Sequence, residues 1–189
     1  MKITLLGNCQ TKALTWYIQQ LNENFDVKWV QTKFGRGKNW AKPGSFEGKP
    51  VPTVTGKENA IKRLMNSSFL IYQNLSSEAS DNFHNEKIKL YNPTCNFISI
   101  SSFYFHPNNS QENGLTGMIH RANVFDIDVP AHKIIEQHGS KIEIVNSQPN
   151  HPSTFYFLEL VREICKRTGW DYYSEEQYNQ YLKEGYPFG

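Results

Sequence analysis

Ile3-Thr4-Leu5-Leu6 is a short apolar run with the pattern of a buried strand, here read over residues 2–6. The period then changes. Ala13, Leu14, Tyr17, Ile18 and Leu21 recur at helical spacing, which predicts a helix over about 10–22. Residues 26–31 alternate polar and apolar, as a half-buried second strand does. Residues 58–65 place Ala60, Ile61, Leu64 and Met65 on one helical face. Phe69-Leu70-Ile71-Tyr72 predicts a third strand ending at Gln73-Asn74, with a short helix after Ser76 or Ser77. Residues 97–105 are β-branched and aromatic and predict a fourth strand running into His106-Pro107. Residues 115–124 and 131–138 read as helices, the second stopped by Gly139, and residues 141–145 as a fifth strand. Pro152 stands at or near the first turn of a long helix, 153–168, ended by Gly169. Ser174-Glu175-Glu176-Gln177 has capping-box spacing and opens a last polar helix.

Strands alternating with helices predict an α/β class: three layers, α/β/α, around a mostly parallel five-stranded sheet. The 189 residues suit a single domain with a sizeable core. In such a fold the loops at the strand carboxyl ends converge, and ligands bind there. Those loops are Gly7–Gln10, Gln73–Asn74, Tyr104–Pro107 and Asn146–Ser153, all polar.

Within them Cys9 stands out. It is expected on a strand-to-helix turn, where backbone N–H groups are unpaired and the helix dipole is positive. Such a place can pull a thiol pKa from about 8.5 into the range of roughly 3.5–7.5, so Cys9 is expected as a reactive thiolate. His151, in Gln148-Pro149-Asn150-His151-Pro152-Ser153, is the best candidate base, because two prolines restrict its backbone. A Cys–His pair is a sufficient nucleophile–base unit. Acyl chemistry also needs donors for a developing oxyanion. The Cys9 N–H is one, the side-chain amide of Gln73 or Asn74 another, and Asn8 and Gln10 are weaker candidates. His106, beside Tyr104, could bind substrate, and Arg121, next to His120, could meet an anion.

Composition narrows the classes. Hydrophobic content is 38% and mean hydropathy −0.61, and no apolar run approaches the roughly 18 residues of a membrane span. The first residues lack a basic segment followed by a long apolar one, so no signal peptide is expected. Three cysteines without a CxxC pair argue against a disulfide framework or a zinc site and for a reducing cytoplasm. The net charge of +2 is too small to imply nucleic acid. It is uneven, however. Lys33, Arg36, Lys38, Lys42, Lys49 and Lys57 face only Glu47 in one stretch rich in glycine and proline. That long loop could be a solvated surface or an anion-binding lid clamped by Arg36, Lys38 and Lys42. No Walker motif or GxGxxG is present.

Taken in order, the strand–Gly7-Asn8-Cys9-Gln10–helix, the strand ending in Gln73, Phe103-Tyr104-Phe105-His106-Pro107 and Asn150-His151-Pro152-Ser153 resemble the WcbI-type polysaccharide biosynthesis family of bacterial capsule clusters. The resemblance spans about residues 1–168. It implies an SGNH-hydrolase-like or flavodoxin-like fold, coenzyme A or acetyl-CoA as donor without a metal, and acetyl transfer to a sugar. In the broader superfamily a serine in a Gly-Asp-Ser block is the nucleophile; Cys9 stands in its place, and His151-Pro152 matches the terminal His block. The usual Asp three residues before that His is Gln148 here, which cannot act as a carboxylate. Asn150 or Gln148 could orient the ring instead. Two other readings stand beside this one: a thiol esterase or deacetylase of the same fold, and a non-catalytic sugar- or nucleotide-binding module using aromatics such as Trp40. Small-molecule donor and sugar acceptor are the expected partners, and self-association is left open.

Overall fold

Residues 1–32, 44–46, 49–73, 83–103, 111–143 and 151–184 are described in a computed structural model of the chain. Two compact units divide it, Met1–Ser99 and Ile100–Gly189.

The first unit carries the sheet. Its elements are β1 (Lys2–Gly7), α1 (Cys9–Gln19), β2 (Asp26–Gln31), β3 (Gly44–Phe46), β4 (Lys49–Val51), α2 (Lys57–Met65), β5 (Phe69–Gln73), α3 (Asn85–Tyr91) and β6 (Asn96–Ile100), whose last residue begins the second unit. Four strands form a parallel sheet in the order β2-β1-β5-β6, and β3 and β4 form a separate antiparallel pair. β1 runs in register with β2 from Lys2 opposite Asp26 to Gly7 opposite Gln31, and with β5 from Ile3 opposite Phe69 to Leu6 opposite Tyr72. Beyond β2, Trp29 N–H donates to Pro52 O and Val54 N–H to Trp29 O, both at 2.8 Å, so residues 52–54 cover that edge.

Strand alternation sorts the side chains. Leu6, Val30, Leu70 and Tyr72 pack with Ala60 and Leu64 of α2 and with Phe83 and Ile88 at α3. Trp29 points the other way, to α1, where its Nε1 donates to Thr11 Oγ1 at 3.1 Å. The chain leaves central β1 for β2 on one side, then crosses to β5 on the other. The carboxyl ends of β1 and β5 therefore flank the point where strand order reverses, the usual ligand crevice of open parallel sheets.

Arg63 fastens α2 to the sheet. Its Nε donates to Thr4 Oγ1 at 3.0 Å, Nη2 to Ile3 O at 3.0 Å, and Nη1 to Asp26 Oδ2 at 2.5 Å. Nη2 also reaches Asp26 O. Burial works to raise the Asp26 carboxyl, but the bond to Arg63 and its charge, helped by Lys28 and Lys2, hold it below its usual value.

The second unit is helical among its described residues: α4 (Gln111–Val124), α5 (Ala131–His138) followed by a 3-10 turn (Gly139–Lys141), α6 (Thr154–Thr168) and α7 (Glu175–Glu184). α6 buries Tyr156, Phe157, Leu158, Leu160, Val161 and Ile164 and ends at Gly169, which takes the left-handed conformation with φ 72°. The capping box forms: Gln177 N–H donates to Ser174 Oγ at 3.2 Å and Ser174 N–H to Gln177 Oε1 at 3.0 Å. α7 docks on α6 through Glu159, which accepts from Arg162 Nη1 at 2.8 Å and from Tyr178 OH at 3.2 Å.

Several expectations shift. Four strands make the sheet among the described residues, and residues 144–145 of the expected fifth strand lie outside them. Lys141 lies in the 3-10 turn, and Glu143 bonds to the head of α6 instead of a strand, accepting from Ser153 N–H at 2.8 Å. β6 stops at Ile100, where the chain turns to Val129; Ser101 N–H donates to Val129 O at 3.3 Å. α5 ends at His138 with Gly139 as its C-cap, as expected, but Gly139 is right-handed and leads into the 3-10 turn. α3 was not legible, and residues 76–77 lie outside the described ones. No described helix is long and apolar enough to cross a membrane.

Replacing Arg63 by alanine is expected to cost about 1.5–3 kcal/mol in urea unfolding, the range for hydrogen bonds to charged groups. The Asp26 share of that gap is present above about pH 4 and is lost as pH falls through its depressed folded value. Titrating both proteins from pH 7 to acid should therefore narrow the difference; a constant gap would contradict the ion pair's role.

Candidate functional site

The turn after β1 is built around one glycine and one glutamine. At Gly7 a Cβ would overlap Gln73 Oε1 and would approach Thr11 Cγ2 to 2.7 Å, so only glycine fits. Asn8 follows as the N-cap of α1, its side chain accepting from Gln10 N–H at 2.8 Å. The N–H of Asn8 donates to Gln73 Oε1 at 2.8 Å. Gln73 Nε2 donates to Gln10 Oε1 at 3.1 Å. Gln73 is 1% and Gln10 5% exposed, so this amide chain is shielded from water. Thr11 adds a third tie, donating from Oγ1 to Asn8 O at 2.7 Å while accepting from Trp29.

These bonds place Cys9 at the first position of α1, half-buried. Burial pushes its thiol above the ordinary range, outweighing the N–H groups of Cys9 and Gln10 and the charge of Lys12, all of which pull it down. The expected low-pKa thiolate is therefore overturned. The dipole and the donors are present, as the turn requires, but desolvation of a half-buried sulfur exceeds them. Burial thus favours the thiol form of Cys9.

The other expected residues distribute as follows. Asn8, Cys9, Gln10 and Gln73 come together at the carboxyl ends of β1 and β5. Gln73, expected as an oxyanion donor, spends its amide on Asn8 and Gln10. His151 belongs to the second unit, half-buried and just before buried Pro152 and Ser153, the residue preceding α6. Ser153 does not cap α6 with its side chain; its Oγ instead accepts from Glu143 N–H at 3.2 Å. Burial lowers the imidazole pKa of His151. Arg121 is exposed on α4 with its guanidinium beside Gly117, as is His120. Arg36, Lys38, Lys42, Asn74, Tyr104, His106 and Asn150 lie outside the described residues.

No protein-family model matches the chain, and no curated protein matches it significantly.

Three contributors were not anticipated: Thr11, Lys12 and Trp29. Lys12 follows Cys9 by three residues, a spacing that puts both on one helix face. That spacing was readable; the approach of Trp29 from β2 was not. The cluster as a whole brings together a sulfur at a helix N-terminus and a lysine one helical turn away, a set suited to attack on an electrophilic carbonyl.

Substituting Gln73 with leucine should leave Asn8 N–H without its buried acceptor and cost about 1–3 kcal/mol. Urea unfolding of the variant checks this. A midpoint equal to wild type would show that the tie contributes nothing.

Proposed function

We propose that this chain is a cytoplasmic acyltransferase of the WcbI type, with an SGNH-like three-layer fold, that moves an acetyl group from acetyl-CoA to a sugar hydroxyl. Cys9 is the nucleophile and His151 the base. What carries the reading is the position of Cys9: first residue of a helix, at the strand-order reversal, in a turn pinned by Gln73. The two opposed environments support it. A thiol held protonated and an imidazole kept neutral by burial are the matched resting forms of a nucleophile–base pair at pH 7.

In this scheme His151 takes the Cys9 proton as the sulfur attacks the thioester carbonyl, and the Cys9 N–H faces the developing oxyanion. The bond from the carbonyl carbon to the donor's sulfur breaks, and the departing thiolate takes the proton from His151. His151 then accepts the proton of the sugar hydroxyl as its oxygen attacks the acyl group on Cys9. The Cys9 sulfur leaves and regains that proton. The basic stretch holding Arg36, Lys38 and Lys42 supplies positive charge for the donor's phosphates.

The raised thiol also favours a second reading, a sugar- or nucleotide-binding module in which Cys9 never reacts. Water as acceptor would make the same machinery an esterase. Release of free coenzyme A from acetyl-CoA, with and without sugar acceptors, separates the three. The transferase requires acceptor-dependent release. Acceptor-independent release marks the esterase, and binding without release marks the module.

Changing His151 to asparagine is expected to lower kcat/KM about 10²–10⁴-fold, and Cys9→Ala to abolish turnover. The neutral imidazole is the active form and its pKa is depressed, so the acid limb of kcat/KM should fall below about pH 6.5. An acid limb above that value, or full turnover by Cys9→Ala, would contradict the assignment.

A further inference from the structure

We propose that Lys12 is the positioning cation of Cys9, held beside the sulfur by the face of Trp29 so that the thiolate is charge-compensated when it forms. The inference deepens the reading of Cys9 as the reactive group and rests on it. Lys12 Nζ lies 5.8 Å from the Trp29 ring centroid, within cation–π reach. Trp29 is 4% exposed, and its indole N–H is spent on Thr11 Oγ1 at 3.1 Å. The same Thr11 hydroxyl donates to Asn8 O at 2.7 Å. One hydroxyl thus joins the ring that carries the ammonium to the turn that carries the sulfur.

A lysine on a flexible stem usually spreads its charge through solvent. Here the stem rises from the helix turn above Cys9, and Trp29 narrows where the head can go. Both groups are half-buried, so screening between them is weaker than at an open surface. Burial draws the Lys12 ammonium down, and Cys9 draws it back up. From the neighbouring strands the turn meets Gly7 and the neutral amide of Gln73. The charge of Lys12 acts on the Cys9 thiol and pulls it down.

Alkylation by iodoacetamide tests the proposal on the full chain. The thiolate displaces iodide, a Sγ–C bond forms, and no acyl donor is needed. Its outcome is therefore independent of acyl transfer, and a failed transferase assay leaves it standing. The rate is followed against pH on the Cys9 peptide by mass spectrometry. That separates Cys9 from Cys95, pushed up to about 11 by burial, and Cys165, pushed up to about 12 by burial and Asp171. Lys12→Met should raise the Cys9 midpoint by about one pH unit and slow alkylation at pH 7 about tenfold. Lys12→Arg should keep the wild-type midpoint, and Trp29→Leu should move it in the direction of Lys12→Met. On the unmodified chain, about 1 M salt should raise the midpoint, which keeps the test valid if a variant fails to fold. A midpoint unmoved by Lys12→Met and by salt would overturn the role of Lys12.

Discussion

The bond from Asn8 N–H to Gln73 Oε1 is the constraint on which the site depends. It runs across the sheet from the end of β1 to the end of β5, with the glutamine side chain shut away from water. A buried donor without a partner is costly, so the turn and the strand end are committed to each other. Gly7 must be glycine because the glutamine oxygen fills the space of a Cβ. Asn8 must then cap, and Cys9 must open the helix. A sulfur is thereby delivered to the place where an open parallel sheet gathers its ligands.

What the sulfur does there is decided by magnitude. The helix terminus, two N–H groups and Lys12 favour the thiolate, while the loss of water favours the thiol, and the loss of water prevails. In the proposed reading His151 removes the proton of Cys9, and Lys12 lowers the energy of the anion left behind.

Much of this was legible in the residues and some was not. β1, β2, α2 and α6 follow from hydrophobic period because each buries one regular face. The capping box of α7 follows from spacing alone. Cys9 at the head of a helix follows from the change of period after Leu6. The sign of its pKa shift does not, because helix position is local and desolvation depends on what folds over it. Residues 141–143 have strand-like composition, yet Glu143 bonds to Ser153, a pairing ten residues away that no local pattern announces. Gln73 could be read as the end of β5, but its tie to Asn8 is a contact across 65 positions.

The most direct test of the account is a crystal structure of the chain grown with coenzyme A. The account predicts the coenzyme sulfur beside Cys9 Sγ, in the crevice between the carboxyl ends of β1 and β5, with the Asn8–Gln73 bond intact. A coenzyme bound elsewhere on the molecule, or Cys9 sealed from it by apolar side chains, would contradict the assignment of this turn as the site of chemistry.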